Sequence, residues 1–477
     1  MRGATIVGAV ALAVSTGCAT NPVSGKRELS LISESQEIQM GREASKGDLQ
    51  RVGETQKPDA QALVRRIGKD ISGKSERPQL PWEFHLLDDA AVNAFAYPGG
   101  FIFVTRGLLT HLNSEAELAH VIGHEIGHVT AKHTVSAMSK QQVAQIGLVA
   151  GSVLSTRVAK YGDLLGGGAG LLFLKFGRDD ETQADALGFR YALADGYDVR
   201  EATKVFTTLS RLGGDGGARV PEWQSTHPDP GNRAAVAQKK AAELTPAHLT
   251  NVKVNRNEFL KLLDGMVFGE NPRNGYFKGT RFLHPDLRFE YNVPNGWKSA
   301  NMPEAVVSQS PDNTGQLQLA QAQGTAAQAV QQFVGQQGIT VTQNAQTTIN
   351  GLSAAIAQFD AQTQDGAIKG IIAGVQYQNA TYLMVGLTTA AAAAKNLPLM
   401  DAAMRSFRAL NDPALINVQP ALVQLVTLPE AMTGLTFTQR YPSSVPAAVV
   451  YLINGMDAAT SVPRGTVLKR VVGGLPQ

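Results

Sequence analysis

The chain has 477 residues, 43% of them hydrophobic, enough for two to four domains that each bury a core. Net charge is +3, only 17% of residues are charged, and no Lys/Arg cluster is interleaved with aromatics, so nothing marks a nucleic-acid surface. The single cysteine, Cys18, excludes an intramolecular disulfide.

Taken in chain order, the sequence opens on a basic start, Met1-Arg2-Gly3. An apolar run over 4–14 follows, and then "STGC", small residues directly before Cys18. The run is too short to span a bilayer as a helix. The order resembles a bacterial lipoprotein signal, which predicts removal of 1–17 and lipidation of Cys18. Ala19 after the cysteine suits anchorage to the outer membrane, facing the periplasm. A lipid chain anchors without spanning. Residues 18–45 read as an irregular tether and N-terminal segment. Helices are predicted around 35–49 and 58–71. "WEFHLLD" (82–88) alternates as a strand, and "NAFAYPGGFIFVTRGLL" (93–109) reads as two strands about a Pro98-Gly99-Gly100 turn. "SEAE" (114–117) is a capping box that opens a long helix past His128. Apolar stretches at 146–154 and 164–174 are too short to span. Further helices are predicted over about 179–193 and after 227–233.

Beyond about 275 the composition shifts. Alternation at 287–294, 316–323, 339–343, 352–360, 367–377 and 381–388, with helical patterns near 325–335 and 397–410, predicts a folded antiparallel sheet with helices. The expected fold class is α+β. A mainly helical domain with a small sheet (46–265) is followed by an accessory α/β domain (276–410) and a small unit (420–477).

The chemistry concentrates in "VIGHEIGH" (121–128). His124 and His128, four apart on a helix, direct two imidazole nitrogens at one point, with Glu125 beside them. Zinc takes such nitrogens, and a catalytic site leaves one position to water. The metal lowers that water's pKa to about 7, so Glu125 is the candidate base. Gly123 and Gly127 each cost about 1 kcal/mol inside a helix, which close packing of another backbone would explain. A third ligand is offered by "ETQADALG" (181–188). Glu181 and Asp185 share a helix face, Glu181 for one zinc ion and Asp185 behind it, orienting a ligand histidine. In "STHPDPGNR" (225–233), His227 and Arg233 are candidates for stabilising the oxyanion formed when water attacks a peptide carbonyl. His120 reads as packing, His111 and His133 as helix-surface or second-layer residues, and His284 as turn chemistry. Trp82, Trp223 and Trp297 read as core.

"HEIGH", "ETQAD", "STHPDPGNR" and the preceding "NAFAYPGG" resemble, in order, the zinc peptidase family of the CAAX prenyl protease and HtpX type. The nearest branch is that of periplasmic lipoproteins related to the β-barrel assembly-enhancing protease. The resemblance covers roughly 18–250. It implies a gluzincin fold with zinc on His124, His128 and Glu181, and Glu125 as base. Asp185 would lie behind the ligands, and His227 and Arg233 beside the substrate. Asn93, Ala94, Phe95 and Ala96 would form the edge strand that pairs with an extended polypeptide. No helical repeat of the kind that branch carries follows. Instead 276–410 weakly resembles a PsbP-like module. Residues 420–474 weakly resemble a LysM-like unit, which implies peptidoglycan contact.

The expected function is a zinc endopeptidase in the bacterial envelope, acting on misfolded proteins. Its rival is a chaperone-like or cell-wall-binding lipoprotein whose site is closed, for instance by a histidine of "STHP" in zinc's fourth position.

Overall fold

The computed structural model describes residues 18–140, 176–214, 223, 227, 230–363 and 366–475. The signal-like segment 1–17 and the apolar stretches at 146–154 and 164–174 lie outside them. Among the described residues no helix is long and apolar enough to cross a membrane. The chain divides into two units, Met1–Glu270 with Ala421–Gly473, and Asn271–Pro420 with Gly474–Gln477.

In the first unit, β1 (Cys18–Thr20) and β2 (Arg27–Leu29) pair antiparallel, with Thr20 opposite Arg27. The expected irregular tether is therefore a hairpin at its start. It is also fixed in place: the Asn21 amide donates to Ala131 O at 3.0 Å, and Leu31 N donates to Ser139 Oγ at 3.0 Å. The sequence shows no hairpin because the strands are only three residues long.

Helix α1 (Glu34–Arg51) starts at Ser33, whose capping box with Gln36 satisfies orphan backbone donors. Helix α2 (Pro58–Ser72) starts on Pro58, where a missing N–H costs nothing, and buries Val64, Ile67 and Ile71. A three-stranded sheet follows: β3 (Glu83–Leu87), β4 (Ala94–Tyr97) and β5 (Phe101–Thr105). Its order is β3-β5-β4, with β3 parallel and β4 antiparallel to the central β5. Every residue of β5 is buried, as a central strand requires. Gly99, at φ +82°, makes the β4–β5 turn, and a Cβ there would come within 2.6 Å of Ile38 Cα in α1.

After the short α3 (Arg106–His111), helix α4 (Glu115–Thr130) is buried along its whole length. Ser114 Oγ accepts from Glu117 N at 3.2 Å, but the reciprocal arm differs from the predicted box. The Glu117 carboxylate accepts from Asn113 N, one residue before the cap, at 2.8 Å. Helix α5 (Arg178–Ala194) crosses α4, and α6 (Ala202–Gly214), α7 (Pro230–Ala242) and α8 (Arg256–Leu263) complete this part.

The second unit holds a four-stranded sheet, β6 (Tyr276–Lys278), β7 (Arg281–His284), β8 (Phe289–Asn292) and β16 (Arg408–Ala409), in the order β16-β8-β7-β6. Its larger sheet has seven antiparallel strands: β9 (Lys298–Asn301), β10 (Ala305–Gln309), β11 (Gly315–Ala322), β12 (Ile339–Ile349), β13 (Leu352–Thr363), β14 (Gly366–Tyr377) and β15 (Ala380–Thr389). Their order is β12-β13-β14-β15-β11-β10-β9. Period-two alternation puts Ala355, Ala357 and Phe359 against α9 (Ala326–Val334) and Ala354 and Ile356 on the face carrying α10 (Ala393–Arg405).

Residues 421–473 belong to the first unit as β17 (Ala421–Thr427), β18 (Met432–Thr433), α11 (Gly434–Arg440), α12 (Ala447–Ile453), β19 (Ser461–Val462) and β20 (Val467–Gly473). β17 and β20 pair antiparallel, Val423 opposite Val471. Gly265 N donates to Val423 O at 2.8 Å, and Val423 joins the peptide core around α2, β5 and α4.

Candidate metal centre

Two helices bring the donors together. His124 and His128 stand one turn apart on α4, and Glu181 lies in the first turn of α5. The helices approach closely because glycines line the crossing. A Cβ on Gly123 would lie 3.1 Å from Gly188 Cα, and one on Gly127 3.2 Å from Ala184 Cα. Close packing against another backbone thus accounts for both helix glycines.

His124, His128, Glu181 and His227 each offer one atom, all within 4.8 Å of one another and all buried. His124 Nε2 and His128 Nε2 are 3.0 Å apart, and His124 Nε2 and His227 Nδ1 3.3 Å. Glu181 Oε1 lies 3.4 Å from His128 Nε2 and 2.9 Å from His227 Nδ1. Four donors on a tetrahedral zinc, at bonds of about 2.0–2.1 Å, would stand about 3.3 Å apart. The donor set fits zinc on both spacing and type. Two facing imidazole nitrogens with a carboxylate, sealed from water, are otherwise an unfavourable burial.

The surrounding groups fix this arrangement. Asp185 Oδ1 lies 2.9 Å from His124 Nδ1, so His124 turns its Nε2 to the cluster. Arg233 donates through Nε to Asp185 Oδ2 at 2.8 Å and through Nη2 to Asp185 Oδ1 at 2.6 Å, and its Nη1 is 3.1 Å from Glu181 Oε2. Its guanidinium lies over the Phe206 ring at 4.6 Å. Arg233 therefore neutralises the two acids of α5 instead of facing open space, where an oxyanion would form. His227 stands among the donors, its ring stacked on Trp223 at 4.2 Å. Trp223 is buried, as expected for core, and packs on the centre itself. Phe176 stacks on His128 at 4.1 Å.

Glu125 is buried on the same turn, and its Oε1 has no hydrogen-bond partner; the nearest ring nitrogen is His227 Nε2 at 3.6 Å. Burial, with the Glu181 charge adding, pushes the Glu125 carboxyl up to about 8 in the metal-free site. Burial would raise Glu181 and Asp185 too, but their neighbours prevail. His227 and His128 pull Glu181 far down, and His124 and Arg233 do the same to Asp185. Both remain carboxylates, as metal binding and ligand orientation require.

The remaining candidates fall as follows. Ala94, Phe95 and Ala96 lie on β4, an edge of the three-stranded sheet, and Asn93 immediately precedes it. His120 is buried edge-on against Phe206, without hydrogen bonds from either ring nitrogen. His111 is buried against Gly107 O, and His284 Nδ1 accepts from Leu287 N in a turn. Trp297 is buried, and half-buried Trp82 stacks on Phe84. His133, read as a helix-surface or second-layer residue, is of the second kind: its Nδ1 is 2.9 Å from His128 Nδ1. Cys18 heads β1.

Comparison with known proteins agrees with this geometry. Residues 58–241 match peptidase family M48. The stretch is an M48 peptidase domain. It contains α2 through α7 and every donor of the cluster. The chain is 33% identical over 201 residues to the mitochondrial metalloendopeptidase OMA1 of Arabidopsis thaliana, covering 40% of this chain and 39% of that protein. It is 28% identical over 256 residues to the β-barrel assembly-enhancing protease of Escherichia coli K12, covering 51% of each. A fission-yeast (Schizosaccharomyces pombe) OMA1 is 30% identical over 213 residues, 43% of this chain and 61% of that protein. The chain thus spans between about two-fifths and three-fifths of the length of these relatives. A cyanobacterial PsbP from Synechocystis overlays 28% of this chain and 94% of its own, at 14% identity and a TM-score of 0.23.

Proposed function

We propose that the chain is a zinc-dependent endopeptidase that cuts extended polypeptides of the bacterial envelope. The observation that carries this reading is the buried set of His124, His128 and Glu181 with Glu125 beside it, its Oε1 without a hydrogen bond, inside a stretch that matches peptidase family M48. Zinc held by His124, His128 and Glu181 would supply a water of pKa near 7 and a Lewis acid for the peptide carbonyl. Glu125 takes the proton from the attacking water and returns it to the leaving amine. Asp185 keeps His124 in the metal-facing tautomer, and Arg233 holds Asp185 and Glu181 ionised. An extended substrate adds to the open edge of β4 through Asn93–Ala96, which reads backbone rather than sequence. The names of the relatives, metalloendopeptidases and β-barrel assembly-enhancing proteases, support peptide-bond cleavage, and quality control of envelope proteins is the role we propose for it. The basic, apolar and small-residue order of 1–18 supports a lipid anchor on Cys18 to the outer membrane. Peptidoglycan contact is proposed for 420–474 from its weak LysM-like sequence resemblance alone.

One observation favours a closed resting state within this reading. His227 Nδ1 sits where a fourth donor would stand, 3.3 Å from His124 Nε2 and 2.9 Å from Glu181 Oε1. His227 then withholds the position that water needs, and substrate or a partner opens the site by displacing it.

Zinc content and cleavage of unfolded casein test the proposal. Wild type should carry one zinc per chain and cut. Glu125→Gln should keep zinc and lose cleavage, and Glu181→Ala, left with the three histidines alone, should bind zinc more weakly and lose cleavage. A zinc-free wild type, or equal cleavage by Glu125→Gln, would sink the reading.

A further inference from the structure

His128 has a neighbour that the mechanism above does not use. Five residues on, His133 would point about 140° away on a continuous helix. The helix is not continuous there: α4 ends at Thr130, Lys132 takes a left-handed φ of 59°, and residues 133–140 are helical again. This break turns the His133 ring back onto the ligand helix. The ring is buried, and its Nδ1 lies 2.9 Å from His128 Nδ1. On its far side, Nε2 lies 2.9 Å from Gln183 Oε1 and 3.8 Å from Asp180 Oδ1, both on α5.

The proton positions follow from these contacts. Both groups near His133 Nε2 are acceptors, so Nε2 carries the hydrogen and donates to Gln183. A neutral imidazole has only one N–H, so His133 Nδ1 is a lone pair. It accepts from His128 Nδ1–H. His128 then has its own lone pair on Nε2, the atom 3.0 Å from His124 Nε2 in the donor cluster. The opposite assignment sets a His133 lone pair against two acceptor oxygens. It also puts a hydrogen on the His128 nitrogen that must bind metal.

We infer that Gln183 and His133 form a two-step hydrogen-bond relay that holds His128 in its metal-binding tautomer. The inference rests on the zinc reading proposed above. It gives the two ligand histidines different supports, a carboxylate for His124 and a neutral imidazole for His128. His133 is thus a positioning residue that acts on the metal only through His128. Losing such a partner commonly weakens metal binding 10–100-fold.

The test uses the full chain and zinc itself, with affinity read by competition against a chromophoric chelator. His133→Phe keeps the ring volume and removes the acceptor, and should bind zinc about 10–100-fold more weakly than wild type. Gln183→Leu, at a half-buried position, should weaken binding in the same direction. Gln183→Glu still offers Nε2 an acceptor and should retain wild-type affinity. Melting of the metal-free variants shows that each folds. Independently, ¹⁵N-histidine spectra of the wild type should show His133 as the neutral Nε2–H tautomer. If His133→Phe does not fold, Gln183→Leu and the spectrum decide. Unchanged affinity in the variants, or an Nδ1–H tautomer at His133, would overturn the relay. A wild type that binds no zinc would instead defeat the zinc reading itself.

Discussion

At the scale of single residues, the decisive position is His227. If it aided catalysis by stabilising developing negative charge, its removal would cost about 10²–10³ in turnover. Its surroundings argue otherwise. Its Nδ1 faces His124 and Glu181 within the donor set, its ring is clamped on Trp223, and Arg233 is bound to Asp185 and Glu181. The expected result for His227→Ala is therefore retained zinc, on the three remaining ligands, and faster cleavage of an unfolded protein. A fall of the catalytic size with zinc retained would restore the oxyanion role. The sequence makes each pair readable, His124 with His128 and Glu181 with Asp185, because i, i+4 spacing on a helix is local geometry; that the two pairs meet rests on the family resemblance. It does not reveal the contact of His133 with His128, or Gln183 at all. Their meeting depends on a left-handed lysine, a conformation that glycine or asparagine would announce and lysine does not.

At the scale of elements, the centre exists because α4 and α5 cross almost backbone to backbone. The glycines at 123 and 127 are readable as a demand for close approach, but neither Gly188 nor which helix approaches is. A Cβ on Gly188 would lie 2.8 Å from His124 N and 3.1 Å from His124 Cα, atoms of a helix backbone that cannot swing aside. Gly188→Ala should push the two ligand helices apart. Overpacking of this kind costs about 1–3 kcal/mol. It exceeds the gain of up to about 1 kcal/mol from alanine's helix propensity. The expected outcome is a lower melting temperature and weaker zinc binding together. Gly47→Ala is the control. Gly47 lies in α1, where an added methyl would meet nothing within 4 Å, so this change should stabilise and leave zinc binding alone. Equal behaviour of the two variants would remove the crossing as the cause. The hairpin β1–β2 was not readable, since its hold comes from Asn21 and Leu31 reaching residues more than a hundred positions away.

At the scale of the whole molecule, the chain end at 421–473 returns to brace the cap of the ligand helix. Lys469 on β20 is fully buried and donates through Nζ to Thr110 O at 2.9 Å and Leu112 O at 2.7 Å, in the turn just before Ser114. Arg256 ties the same turn to β20, donating to Asn113 O and Val467 O. No local pattern in a strand announces such a partner, so the sequence reads 420–477 as a separate unit. Burial pushes Lys469 down to about 7, against the attraction of Glu117. A neutral amine still has two hydrogens for the two carbonyls. The sign of its effect follows from linkage. An unfolded lysine, near 10.5, holds its proton between about pH 7 and 10 while the folded one releases it, so the unfolded state binds more protons and stability rises with pH in that window. A full proton of difference adds about 1.4 kcal/mol per pH unit. Glu117, pushed up to about 7 by burial, acts with the opposite sign and is mostly ionised by about pH 8, so it offsets only a small part of that rise. Between about pH 7.5 and 9.5, wild type should therefore gain about 2–3 kcal/mol in urea unfolding. Lys469→Met should remove that gain, whichever variant is the more stable at pH 7. A parallel rise in both proteins would show that the buried amine at the foot of the ligand helix is not its source.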